Sequence, residues 1–70
     1  MTPDELKFAQ SRYVAADEAY QRAARRVAQK LKDGRAPSAE EIEDEVDASE
    51  ELAVARRLLL DLITRLAPRQ

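Results

Sequence analysis

In the first half of the chain, large side chains recur every seventh residue at Leu6, Tyr13, Tyr20 and Val27. A second seven-residue row is alanine, Ala9, Ala16 and Ala23, before it ends in Lys30. Interleaved, the two rows step by three and four, which is the a/d seam of a helix that packs along another helix. With alanine in one row, the facing helix can come closer than a leucine-on-leucine seam allows. The second half keeps the same period but is uneven. It begins with a thin apolar line, Ile42, Val46 and then Ser49, and broadens into a seam of Leu52, Ala55, Leu59, Leu62 and Leu66. Beside that seam runs a second stripe, Ala53, Leu60, Ile63 and Ala67, with Leu58 in excess. One facing helix covers one seam, so the second stripe calls for another partner. Leu52, Leu59, Leu60, Ile63 and Leu66 are the expected oligomer interface.

Punctuation divides the pattern into two helices. Thr2-Pro3-Asp4-Glu5 reads as a start, with Thr2 as cap, Pro3 in the first helical position and Glu5 closing a capping box. Gly34, the only glycine, is placed to end the helix in the left-handed conformation. Pro37 keeps Ala36 out of a helix, and Ser38 with Glu41 forms a second capping box. The expected elements are helix 1 over about 3–33, a turn at 34–37, and helix 2 over about 38–67, ended by Pro68. Two helices of nearly equal length joined by a short turn fold back as an antiparallel hairpin. The punctuation at Thr2 and Pro68 favours one complete domain spanning 1–70.

Charge agrees with this folding-back. Residues 22–35 carry six bases against Asp33 alone, and residues 40–51 carry eight acids and no base. A turn at Gly34–Pro37 lays one block beside the other, setting orientation more than stability. The net charge of −2 argues against nucleic acid and against a basic membrane patch. No cysteine or histidine is present, which removes disulfides and the usual ligands for zinc. At 44% apolar and 37% charged, the chain suits amphipathic helices rather than disorder. No apolar run is long enough to span a membrane, and the acidic start is unlike a signal segment, so the cytoplasm is the expected location.

Candidate chemistry is sparse. The carboxylates of Glu40–Glu51 share faces at helical spacing, but without histidine or a glycine-bearing calcium loop they read as a solvated, ion-paired surface. Asp44-Glu45-Val46-Asp47 spells a protease-site string that a helix would make inaccessible. Tyr13 and Tyr20 belong to the seam, with hydroxyls reaching its edge. Arg56, between the stripes of helix 2, is expected near Asp17 and Glu18 as an ion pair. Phe8 lies off the seam with Arg12 nearby; its first reading is packing across an oligomer interface, and its second is that both residues are a contact for a partner. No nucleophile–base pair and no phosphate-cradling loop is present, so neither catalysis nor a cofactor or metal site is expected.

The fold class expected is therefore all-α: an antiparallel, coiled-coil-like two-helix hairpin pairing into a homodimeric four-helix bundle. Its expected role is non-enzymatic, a small adaptor, regulator or inhibitor whose partners are itself and another protein. In outline the hairpin resembles the plasmid copy-number regulator Rop, also a helix-hairpin dimer with alanine-containing layers. That resemblance implies an alternative, an RNA-binding bundle; the residues that the outer faces of helix 1 offer for such a role are Lys7, Phe8 and Arg12, with Arg22 and Arg26 as further candidates. The outline is similar, too, to two-helix type III secretion co-chaperones, which implies a subunit of a heteromeric complex. Neither likeness rests on a shared residue motif, and no binding residue is carried over from either family.

Overall fold

The computed structural model describes residues 3–66. Two helices pack against each other, α1 over Pro3–Lys32 and α2 over Ala39–Leu66. The expected Thr2 cap and the stop at Pro68 lie outside the described residues, as does Ala67 of the second stripe. Acids in the first turn of each helix and bases in the last turn suit the helix dipole: Asp4 and Glu5 then Lys30 and Lys32 in α1, Glu40 and Glu41 then Arg65 in α2.

The link between the helices is fixed by its own hydrogen bonds. Gly34 has φ of 73°, the left-handed region in which a side chain strains the backbone. This conformation turns the amide of Arg35 back to the carbonyl of Lys30 at 2.8 Å and that of Gly34 to Leu31 at 3.1 Å. Those two bonds make a Schellman closure, satisfying carbonyls that the end of α1 would otherwise leave unpaired. Ser38 then caps α2 reciprocally: its Oγ accepts from the amide of Glu41 at 3.1 Å, and its own amide donates to Glu41 Oε1 at 2.9 Å. The caps account for α1 ending at Lys32 and α2 starting at Ala39, each a residue inside the expected bounds.

Both seven-residue rows of α1 face α2. Ala9 and Ala23 are buried, and Leu6, Tyr13, Ala16, Tyr20, Val27 and Lys30 are half-buried. On α2 the answering residues are Glu41, Glu45, Ala48, Leu52, Ala55, Leu59 and Leu62, again spaced alternately by four and three. The seam is thus continuous through the acidic half of α2, and the thin line of Ile42 and Val46 stands one residue out of phase with it. Both are exposed. The unbroken leucine seam downstream sets the rotation of α2, and at the turn Lys30 Nζ pairs with Glu41 Oε1 at 3.0 Å, so a polar residue is acceptable there.

The resulting core is small. Among the described residues Ala9, Ala23, Leu52, Ala55 and Leu62 are buried, and three of these five are alanine. The molecule is a flat rod measuring 52 × 23 × 15 Å. Its accessible surface is 5559 Å², against about 4,400 Å² for a compact protein of this mass.

Candidate interaction surface

Two ion pairs establish which sides of the helices lie together. Arg12 pairs with Glu51 and Arg26 with Asp44, each at 3.9 Å. All four residues come one position before a seam residue (Tyr13, Leu52, Val27 and Glu45). Positions preceding the seam on the two helices therefore share one face of the flat hairpin. Phe8, preceding Ala9, and Leu58, preceding Leu59, follow the same rule and border one groove with Glu5 and Leu62. This is the charged face.

Positions that follow the seam share the opposite face. Val14, Leu31, Ile42, Val46, Leu60 and Ile63 each come one residue after a seam position. They are six of the nine large apolar side chains exposed among the described residues. Phe8 and Val54 lie on the charged side, and Leu66 ends the seam itself. The six are not scattered. Leu31, Ile42 and Val46 lie towards the turn and Leu60 and Ile63 towards the open end, and the same offset also places Lys7, Gln10, Asp17, Gln21, Ala24, Ala28, Ser49, Ala53 and Arg56 on this side. This face therefore carries most of the exposed apolar bulk among the described residues, interrupted in its middle by Asp17, Gln21 and Arg56.

The residues expected at an oligomer interface divide between these locations. Leu52 is buried between α1 and α2 and Leu59 is half-buried there, so their side chains are already used within the hairpin. Leu60 and Ile63 stand on the apolar face, and Leu66 is exposed at the end of α2. Val14, Leu31, Ile42 and Val46 belong with Leu60 and Ile63, and they escape a reading that treats each helix alone. Their common signal is the offset of one residue from the seam on both helices.

Phe8 is 66% exposed on the charged face, and Arg12 on the same face is already engaged with Glu51. The Arg56 ion pair is not made. Arg56 is exposed, and Asp17 instead accepts a hydrogen bond from Gln21 Nε2 at 2.8 Å, one turn along its own helix. A partner at i+4 is held close by the helix itself, whereas the cross-helix pair would have to fix the long Arg56 side chain on an open surface for little gain. The basic and acidic blocks do meet, through Arg26–Asp44 and Lys30–Glu41, while Arg25 points away and donates from Nε to the carbonyl of Gln21.

Among the described residues Glu41 carries the perturbed titration. The amide of Ser38, and then the Lys30 ammonium, hold its carboxyl down from 4.5 to about 2. That carboxylate closes the cap and the turn, a structural task. Among the described residues no group of three or more acidic side chains is arranged to hold a metal ion, and no helix is long and apolar enough to cross a membrane. Comparison with protein-family models, with curated proteins and with solved structures finds no match to this chain.

Proposed function

We propose that this chain is a non-enzymatic protein–protein interaction module whose working form is a homodimeric four-helix bundle. Two hairpins stack through their apolar faces, in coiled-coil-like packing. The observation that carries this reading is the placement of Val14, Leu31, Ile42, Val46, Leu60 and Ile63 on one side of a hairpin that buries five residues among those described. The surface in excess of a compact protein, about 1,150 Å², exceeds the roughly 800 Å² that one partner contributes to a standard interface, so the flat hairpin has surface to spare for one. Stacking leaves the charged faces outward. There Phe8, beside Leu58, offers an aromatic anchor to a further protein, in keeping with an adaptor, regulator or inhibitor.

The hairpin gives less support to RNA binding. Of the bases that such a role would use, Arg12 and Arg26 are each paired with a carboxylate, which leaves no continuous basic stripe on their face. Sedimentation equilibrium at micromolar concentration tests the proposal. The expected mass is twice 7.9 kDa, with cooperative helical unfolding. A cooperatively folded monomer refutes the homodimer, and a molten monomer that folds only with a second protein assigns the apolar face to a heteromeric complex.

A further inference from the structure

The stripe that α2 contributes to the apolar face reads nearly the same in both directions. Outward from Ala53 it meets Ser49 on one side and Arg56 on the other, then Val46 and Leu60, then Ile42 and Ile63. All seven are exposed. A pattern symmetrical about one residue is matched by a second copy of itself running antiparallel, related by a two-fold axis through that residue. With the axis at Ala53, Val46 stands level with Leu60 of the second copy, and Ile42 comes within one residue, about 1.5 Å, of level with Ile63. The polar interruption is matched as well. Glu50 stands level with Arg56 of the second copy and one residue from level with Arg57, which borders the same outer edge of the stripe. Among the described residues Glu50, Arg56 and Arg57 are in no ion pair within the hairpin.

The other way of stacking the two faces uses a two-fold axis parallel to the helices, which lays α2 of each copy over α1 of the other without changing height. Contacts within the hairpin then decide what meets what. Near the turn, where Arg26 pairs with Asp44 and Lys30 with Glu41, Ile42 falls over Ala28 and Val46 over Ala24. Towards the open end Phe8 and Leu58 border one groove and Arg12 pairs with Glu51. There Leu60 falls over the first turns of α1 near Lys7, and Val14 over Ser49 or Ala53. No large apolar residue of one stripe comes level with a large one of the other.

Resting on the self-association proposed above, we infer that two copies join α2 to α2, antiparallel across a two-fold axis at Ala53, with their turns at opposite ends and α1 of each over α1 of the other. Apolar bulk meets apolar bulk at both ends of the stripe, and Glu50 meets Arg56 and Arg57 on either side of its centre, a charge match that sets orientation and register. Sliding one copy by a turn in either direction puts Val46 over Arg56 or Leu60 over Ser49. Glu50 and Arg57 lie two turns apart on one helix, so a direct pair between them forms only between copies.

The sequence has no cysteine, so single cysteines in the full chain test this. Facing helices about 8–10 Å apart bring position 53 of the two copies within the roughly 7 Å that a disulfide spans. Mild oxidation is expected to link Ala53→Cys into a covalent dimer and to leave Ala28→Cys, on the same face of α1, unlinked. Ala36→Cys carries one spin label per copy at the exposed turn. Each α2 starts 14 residues from Ala53, so labels at opposite ends are more than roughly 40 Å apart by pulsed electron resonance, and labels at the same end fall within roughly 25 Å. Sedimentation of the same samples reports the mass. A dimer with the long distance and the link at position 53 is the expected result. A dimer with the short distance, or one that does not link at position 53, overturns the arrangement and leaves self-association standing. A monomeric mass overturns self-association itself. Independently, Glu50→Arg is expected to weaken dimerisation about tenfold, two edge pairs being reversed at once. Adding Arg57→Glu to it restores the affinity. A double variant as weak as Glu50→Arg alone overturns the pairing.

Discussion

Replacing Leu60 and Ile63 together with glutamate separates the stability of the hairpin from that of the dimer. In the hairpin the two side chains are 57% and 48% exposed, so about half of their burial remains to be gained when the face is covered. A fully buried leucine or isoleucine contributes roughly 1.5–3 kcal/mol, which leaves about 1 kcal/mol for each of these. A symmetric dimer counts both residues twice, giving a loss of about 3–6 kcal/mol and a dissociation constant raised about 10² to 10⁴ fold. Within one hairpin the same changes are surface substitutions and cost little. Sedimentation equilibrium reads the first effect, and thermal unfolding by circular dichroism over a range of concentrations reads both. Val54→Glu is the matched control. Val54 is 53% exposed, carries a similar apolar side chain on the same helix, and faces the charged side. The double variant is expected to be monomeric at micromolar concentration with residual helix, and Val54→Glu to remain dimeric. A double variant that dimerises as tightly as the parent refutes the assignment of the apolar face, and equal weakening by Val54→Glu means that apolarity anywhere on α2 matters, not this side of it.

Three further changes probe the hairpin itself. Ala55 is 1% exposed on the seam, so Ala55→Leu should overpack a close contact and cost about 1–3 kcal/mol in urea unfolding, while Asp47→Ala on the charged face should stay within about 0.5 kcal/mol; equal effects would misplace the seam. Gly34→Ala should cost about 1–2 kcal/mol through its left-handed φ alone, since a Cβ there meets nothing within 4 Å; an unchanged midpoint would show that the turn closes differently. Glu41 has a carboxyl held down to about 2 in the folded hairpin from 4.5, so its contribution is fully present above pH 4.5 and is lost as pH falls towards 2. Thermal melts of the parent and of Glu41→Gln should accordingly converge on acidification through that window, and a constant gap between them would remove Glu41 from the acid response.

Much of the hairpin was legible because its signals are local. The Gly34 closure and the Ser38–Glu41 box each depend on a few adjacent residues, and both form with the geometry that their residue types dictate. The seam of α1 was equally plain, since every second position in it is alanine between large residues. In the acidic half of α2 the pattern misleads. The seam residues there are Glu41, Glu45 and Ala48, which a search for apolar periodicity passes over in favour of Ile42 and Val46. Their rotation is set by leucines a turn or more downstream and by Lys30 across the turn, and neither constraint is local. The apolar face was legible only in part for the same reason: Leu60 and Ile63 stand out on one helix, but Val14 and Leu31 join them only once the relative rotation of both helices is known. The Arg56 pair failed on a different ground, because Gln21 competes for Asp17 at a shorter sequence distance.

The alanine rows connect the small core to the need for a partner. Alanine at every second seam position lets α1 and α2 approach closely, but each such position removes little apolar area from water, so closeness comes with weak burial. Tyr13 and Tyr20 fill the alternate layers and remain half-buried, because the close approach pushes their rings towards the edges of a 15 Å-thick rod. The larger aliphatic side chains Leu31, Ile42, Leu60 and Ile63 stand outside that seam. Two facing hairpins would enclose those side chains and both edges of the tyrosine layers together, forming in the dimer the core that a single hairpin lacks. In such a dimer association would add to the stability of each hairpin, and the melting temperature would rise with protein concentration.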